Sequence, residues 1–258
     1  MTTRPTSAVH YVTVARTARY ATTGADPSAT ARLWVVFHGY GQRAADFVTP
    51  FESVAPADTR IVAPEGLSRF YAETPRVDRG HLERVGATWL TRDDRAHDLR
   101  DAIGMLHAVV AREVGAVVAA RGVRPAIGVL GFSQGVAMSQ RWVAVAEQTP
   151  SLGGPTSIAQ HVLWAGGLAH DVPDDAMRAA WAHTPVQLVW GSRDEFATSD
   201  AIDAQVERVQ TLAPRVTQYT CRRSHHASRN TRSMVGIGWS ARVWQSASPR
   251  SRRVSSRP

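Results

Sequence analysis

The chain has 258 residues, 43% of them apolar, with a formal charge of +8, which suits one large α/β domain with a substantial core. Past Cys221 there are nine arginines and no Asp or Glu, so 21 basic residues face 22 acidic ones before that point, and no nucleic-acid partner is expected for the near-neutral body. No membrane span is expected either, because the longest apolar run, Ala108 to Ala120, is interrupted by Arg112 and Glu113 and falls short of the ~20 residues a span needs.

In chain order, short β-branched or apolar runs alternate with stretches of helical period, the pattern of a mostly parallel sheet with helices on both faces. The polar start, Met1-Thr2-Thr3-Arg4-Pro5, has no apolar core of the kind a secretory signal carries. With a single cysteine, Cys221, which has no internal disulfide partner, a cytoplasmic setting is expected. Strands are predicted at His10 to Val14, Leu33 to Phe37, Arg60 to Ala63, Ile127 to Leu130, His161 to Trp164, Val186 to Trp190 and Val216 to Thr220. Most are nearly continuous apolar runs, as central strands buried on both faces should be. The segment Glu65 to Arg84 is rich in Pro, Arg and Gly without periodicity and reads as a long loop near the site.

The clearest helix is expected after Thr91 as N-cap, with Asp93 and Asp94 in its first turn near the positive dipole end. Leu99, Ile103, Leu106, Val110 and Val114 keep a helical spacing that packs on the sheet. A second helix is expected from Gln134 to about Glu147. The folded α/β domain is placed at residues 1–220. Residues 227–258 form a basic Ser/Arg-rich tail expected to be poorly ordered.

The chemistry centres on Gly131-Phe132-Ser133-Gln134-Gly135. Ile127-Gly128-Val129-Leu130 reads as a strand before it and Val136-Ala137-Met138 opens a helix after it, the strand–sharp turn–helix setting that holds a nucleophilic serine at the top of a sheet. Side chains at Gly131 and Gly135 would collide with the adjacent strand and helix in so tight a turn. Upstream, a strand runs into His38-Gly39-Tyr40-Gly41-Gln42. Acyl transfer needs two backbone donors aimed at the tetrahedral oxygen, and the N–H groups of Gln134 and Tyr40 are the expected pair. His38 precedes the nucleophile, whereas the chain order in α/β-hydrolases is Ser, acid, His, so it is expected to orient the oxyanion loop.

The acid belongs after a later strand. Asp194 in Gly191-Ser192-Arg193-Asp194 is the first choice, with Glu195, Asp171, Asp174 and Asp175 as alternatives. Only His225 and His226 lie beyond Asp194. His225 is preferred as base, beside a cationic Cys221-Arg222-Arg223-Ser224 stretch that would lower its pKa.

Together with Ala63-Pro64-Glu65-Gly66, these motifs resemble the phospholipase/carboxylesterase family of α/β-hydrolases, which includes the acyl-protein thioesterases. The stretch Val85 to Asp94 resembles a bacterial esterase branch of that family, which implies that Trp89 lies near the substrate. The resemblance covers about residues 10–220. It implies an α/β-hydrolase fold, a Ser133–Asp194–His225 triad, an oxyanion hole at Tyr40 and Gln134, a small ester or thioester as substrate, and no cofactor or metal. Arg223-Ser224 stands where the family usually has a small glycine turn before the histidine, and no amphipathic helix is evident in Ala227 to Pro258. The alternative is therefore a catalytically impaired hydrolase-like protein whose basic C-terminus acts in binding. A peptidase or lipase ranks lower, as no inserted lid domain is evident.

Overall fold

The computed structural model describes residues 8–72, 84–146, 158–191 and 198–221. Nine strands, β1 (Tyr20–Gly24), β2 (Arg32–Phe37), β3 (Thr59–Pro64), β4 (Ser68–Tyr71), β5 (Val85–Thr88), β6 (Ala126–Phe132), β7 (Ile158–Trp164), β8 (Val186–Gly191) and β9 (Val216–Cys221), are joined by five α-helices. These are α1 (Ala44–Val48), α2 (Arg95–Arg121), α3 (Gln134–Ala146), α4 (Asp174–Trp181) and α5 (Ser199–Leu212). Seven strands form one sheet in the order β1-β3-β2-β6-β7-β8-β9. Only β1 is antiparallel to its neighbour in it. This is the mostly parallel, helix-flanked sheet that the alternation of runs predicts.

The central strands carry the core on both faces. Leu33, Val35 and Phe37 of β2 pack on one side with Leu106 of α2, Trp142 of α3, Trp181 of α4 and Val209 of α5. Trp34 and Val36 point to the other side, against Phe47 of α1 and Phe51. This period-two alternation of buried residues is how a parallel strand reads as an unbroken apolar run. Trp34 fits because residue 128 is glycine: a Cβ there would sit 2.5 Å from the indole ring.

Helix α2 starts later than the sequence suggests. Asp94 is its N-cap, and Thr91 lies outside it, its N–H and hydroxyl both donating to Asp98 Oδ2 at 2.8 Å. A carboxylate inside the first turn thus draws the entering loop onto the helix end. The helix stops at Gly122, which takes φ 72° and donates to the Val118 carbonyl, a left-handed cap open to glycine without a Cβ penalty. By length and composition α2 is apolar enough to cross a membrane. Here its buried residues, among them Ala102, Leu106, Val110 and Val114, recur on one face and pack against the sheet.

Two expectations fail. His10 to Val14 is not a strand: it lies beside α2, with Tyr11, Val12 and Val14 exposed and Tyr11 against His97, ring centroids 4.4 Å apart. High β-propensity without a neighbouring strand makes no sheet; the edge role belongs to Tyr20–Gly24. The supposed long loop after Glu65 holds β4, which pairs antiparallel with β5. Four residues per strand are too few to leave a clear period. Residues 73–83 between these strands lie outside the described residues, as does the expected tail at 227–258.

Candidate active site

Ser133 sits between β6 and α3 with φ 52°, a left-handed conformation that costs a non-glycine residue of order 1 kcal/mol or more. The surroundings enforce it. Its N–H donates to the Trp164 carbonyl of β7 at 2.9 Å, and its carbonyl accepts from Val136 N–H at 3.0 Å. The two flanking glycines are required by close approach. A Cβ at Gly131 would lie 2.5 Å from the Gly135 carbonyl oxygen, and one at Gly135 only 2.3 Å from that of Phe37. Strand and helix therefore meet so tightly that the serine is pushed outward, as the pentapeptide suggests.

Gln134 opens α3, and its backbone N–H is among the first four that no helical carbonyl reaches. Its side chain is pinned: Oε1 accepts from Trp89 N–H at 3.3 Å, and Nε2 donates to Thr88 Oγ1 at 2.8 Å. Facing it, the loop after β2 abuts Ser133. A Cβ at Gly39 would lie 3.2 Å from that of Ser133. Tyr40, Trp89, Ser133 and Gln134 all line one cleft of about 740 Å³.

The loop is braced from three sides. Gly39 N–H donates to Gln42 Oε1 at 2.8 Å, Gly41 N–H to the Ala87 carbonyl of β5 at 2.9 Å, and the Trp89 indole to the His38 carbonyl at 2.8 Å. The Tyr40 ring stacks on Phe70 of β4 at 5.1 Å. The β4–β5 hairpin, invisible in the sequence reading, is thus the support of the His38–Gln42 loop. Trp89 lines the cleft yet is only 1% exposed, so it forms the wall beneath the loop.

His38 is fully buried. Gly66 N–H donates to its Nε2 at 3.0 Å, which leaves the proton on Nδ1, and Nδ1–H donates to the Gly39 carbonyl at 2.8 Å. Burial lowers its pKa to about 4, so it is neutral at neutral pH. With both ring nitrogens engaged it orients the loop and is not a base for Ser133. The Ala63-Pro64-Glu65-Gly66 motif finds its reason here. Gly66 positions His38, and the buried Glu65 carboxylate accepts from Ala44 N–H at the start of α1 and from Arg19.

The preferred acid Asp194, its alternative Glu195, and the histidines His225 and His226 lie outside the described residues. The other acidic alternatives are engaged elsewhere. Asp171 is gripped by Arg141 and Arg95. Asp174 pairs with Arg208, and Asp175 accepts from Ala176 N–H. His161, also fully buried, donates from Nε2 to Ser139 at 2.9 Å and accepts the Trp181 indole N–H at Nδ1. Among the described residues no three His, Cys, Asp or Glu side chains converge to hold a metal ion.

The sequence reading missed two features of the cleft. Ala165 takes φ 49° after β7, and a Cβ at Gly166 would lie 2.2 Å from the Ser133 carbonyl oxygen, so this turn packs directly on the elbow. Its Ala-Gly-Gly string after a strand was the available signal. The second is a set of arginines on the cleft wall, Arg92, Arg95 and Arg141.

The sequence profile of the phospholipase/carboxylesterase family matches residues 20–237. The chain belongs to this family. No curated protein matches its sequence significantly. Among solved structures, a phospholipase/carboxylesterase from Dyadobacter fermentans superposes with a TM-score of 0.53 at 19% identity, covering 86% of this chain and 96% of that one. Zea mays acyl-protein thioesterase 2 gives 0.56 at 15% identity, with 89% and 99% covered. A carboxylesterase from Mesorhizobium loti gives 0.54 at 16%, with 88% and 94% covered. At these identities the likeness establishes a shared α/β-hydrolase fold.

Proposed function

We propose that this member of the phospholipase/carboxylesterase family is a serine hydrolase that cleaves carboxylic esters or thioesters through an acyl-enzyme on Ser133. The observation that carries the reading is the strained Ser133 at the β6–α3 elbow, facing a braced loop with the Gln134 N–H beside it. In this mechanism His225 takes the Ser133 hydroxyl proton as the oxygen attacks the substrate carbonyl, and Asp194 holds the imidazole tautomer. The N–H groups of Tyr40 and Gln134 receive the developing oxyanion. His225 then protonates the leaving alcohol or thiol. Finally it activates the water that releases the acid.

Topology supports this assignment. Strands β8 and β9 are neighbours, with Gly191 opposite Cys221 at their carboxyl ends. Asp194 lies three residues past Gly191 and His225 four past Cys221. Both segments leave from the sheet end that carries Ser133, the end where ligands bind in open α/β sheets. A small ester or thioester is the proposed partner, and a cytoplasmic setting goes with the reading.

Turnover of p-nitrophenyl butyrate, together with labelling by a fluorophosphonate probe, tests the proposal. Ser133→Ala should lose both, with kcat down about 10³-fold or more, while thermal stability stays near that of the parent. A folded parent protein that neither labels at Ser133 nor turns over the ester would be a catalytically silent member of the family.

A further inference from the structure

The wall of the Ser133 cleft is cationic. Arg92, Arg95, Arg141 and His170 line it, and no Asp or Glu does so among the described residues. The arginines come from the loop entering α2 (Arg92), from the first residue of α2 (Arg95) and from α3 (Arg141), so the chain assembles them only on folding. Behind them stands one carboxylate. Asp171 accepts from Arg141 Nε at 3.0 and 3.1 Å and from its Nη2 at 2.6 Å, and from Arg95 Nη2 at 2.9 Å. Burial alone would raise the Asp171 carboxyl, but these two guanidiniums hold it well below the usual carboxylate range.

The charge count leaves a surplus. Two guanidiniums share one carboxylate, and Arg92 has no ion pair among the described residues, so the wall carries a net charge of about +2. The donors are also unused. Asp171 engages Nε and Nη2 of Arg141, leaving Nη1, and one nitrogen of Arg95, leaving Nε and Nη1, with no acceptor for these three among the described residues. Arg141 is only 7% exposed, so its charge is poorly screened by water. It lies seven residues along α3 from Gln134, about 10 Å of rise, and helical side chains lean back toward the N-terminus, here toward Ser133.

We propose that this cleft selects esters carrying a carboxylate on the arm that extends from the scissile bond, docked on Arg92, Arg95 and Arg141. A planar carboxylate meets guanidinium forks bidentately, and the Asp171 anchor holds two of the forks in place before substrate arrives. The chemistry rests on the serine-hydrolase reading, whereas the binding selectivity does not.

The test separates the two. In full-length Ser133→Ala, calorimetric titration compares monomethyl adipate with methyl hexanoate, and 6-acetoxyhexanoate with hexyl acetate, so that the carboxylate is offered on the acyl and on the alcohol arm. At low salt at least one anionic ester should bind about tenfold tighter than its neutral match. The preference should shrink toward parity at 0.5 M NaCl, and again when Arg92→Gln and Arg95→Gln are added. Equal affinity in both pairs overturns the proposal, as does a preference that survives both salt and the substitutions. The salt titration needs no arginine variant to fold. Turnover of the same four esters by the parent protein then reads the chemistry. Hydrolysis without anionic preference sinks the selectivity alone, and preferential binding without hydrolysis sinks the hydrolase reading alone.

Discussion

At the scale of single residues, burial determines what His38 and His161 can do. Burial lowers their pKa values to about 4 and about 3 respectively. Below an unfolded value of about 6.5 the unfolded chain binds protons that these native imidazoles refuse, so stability falls as pH drops. From pH 6.5 to 5 each should cost roughly 2 kcal/mol, since one pKa unit corresponds to about 1.4 kcal/mol. Above pH 7 neither contributes a slope. Urea unfolding at pH 7.5, 6 and 5 measures this, and a midpoint unchanged across that range would contradict it. The sequence gives His38 an orienting role because its place ahead of Ser133 breaks the family's chain order, and its buried hydrogen bonds to Gly66 and Gly39 fit that role. Nothing local marks His161, whose partners Ser139 and Trp181 lie on α3 and α4.

At the scale of elements, the β4–β5 hairpin with Trp89 at its end holds the His38–Gln42 loop from below. The Trp89 indole donates to the His38 carbonyl and its ring stacks on His38 at 4.6 Å. Trp89→Phe keeps an aromatic ring and deletes that donor. We expect a stability loss of about 1–2 kcal/mol for the orphaned carbonyl and the smaller ring. With the loop less well placed, kcat on p-nitrophenyl butyrate should fall about tenfold while KM changes little. Steady-state kinetics on the folded variant decide this, and an unchanged kcat would remove Trp89 from the support of the loop. The hairpin escaped the sequence reading because its strands are short and separated by Pro- and Arg-rich chain. What makes them strands is their pairing with each other and the seat they find against Gly41.

At the scale of the whole molecule, Glu113 ties the antiparallel edge of the sheet to its longest helix. Its buried carboxylate accepts from Arg60 Nε of β3 and from the Tyr20 hydroxyl of β1, both at 2.7 Å. Glu113→Ala leaves Arg60 partly buried without its counter-charge, which should cost about 3 kcal/mol and is read by urea unfolding. A loss under 1 kcal/mol would show that this edge is held by packing alone. The family match ends at 237, inside the expected tail. Deleting residues 238–258 should therefore leave ester turnover within about twofold, and a collapse of activity would place a required group past the match.

What the sequence determined by itself is local in character. The buried strands and the elbow around Ser133 are written in contiguous residues, because a backbone turn that tight admits only glycine on either side of the serine. The tertiary structure decided what depends on distant partners. Asp171 is bound by Arg141, 30 residues earlier, and by Arg95, 76 residues earlier. That grip takes it out of contention as the catalytic acid and turns it into the anchor of a cationic wall. Such contacts leave no periodic trace in the chain, since their strength comes from burial and from geometry that exist only after the sheet and its helices have packed.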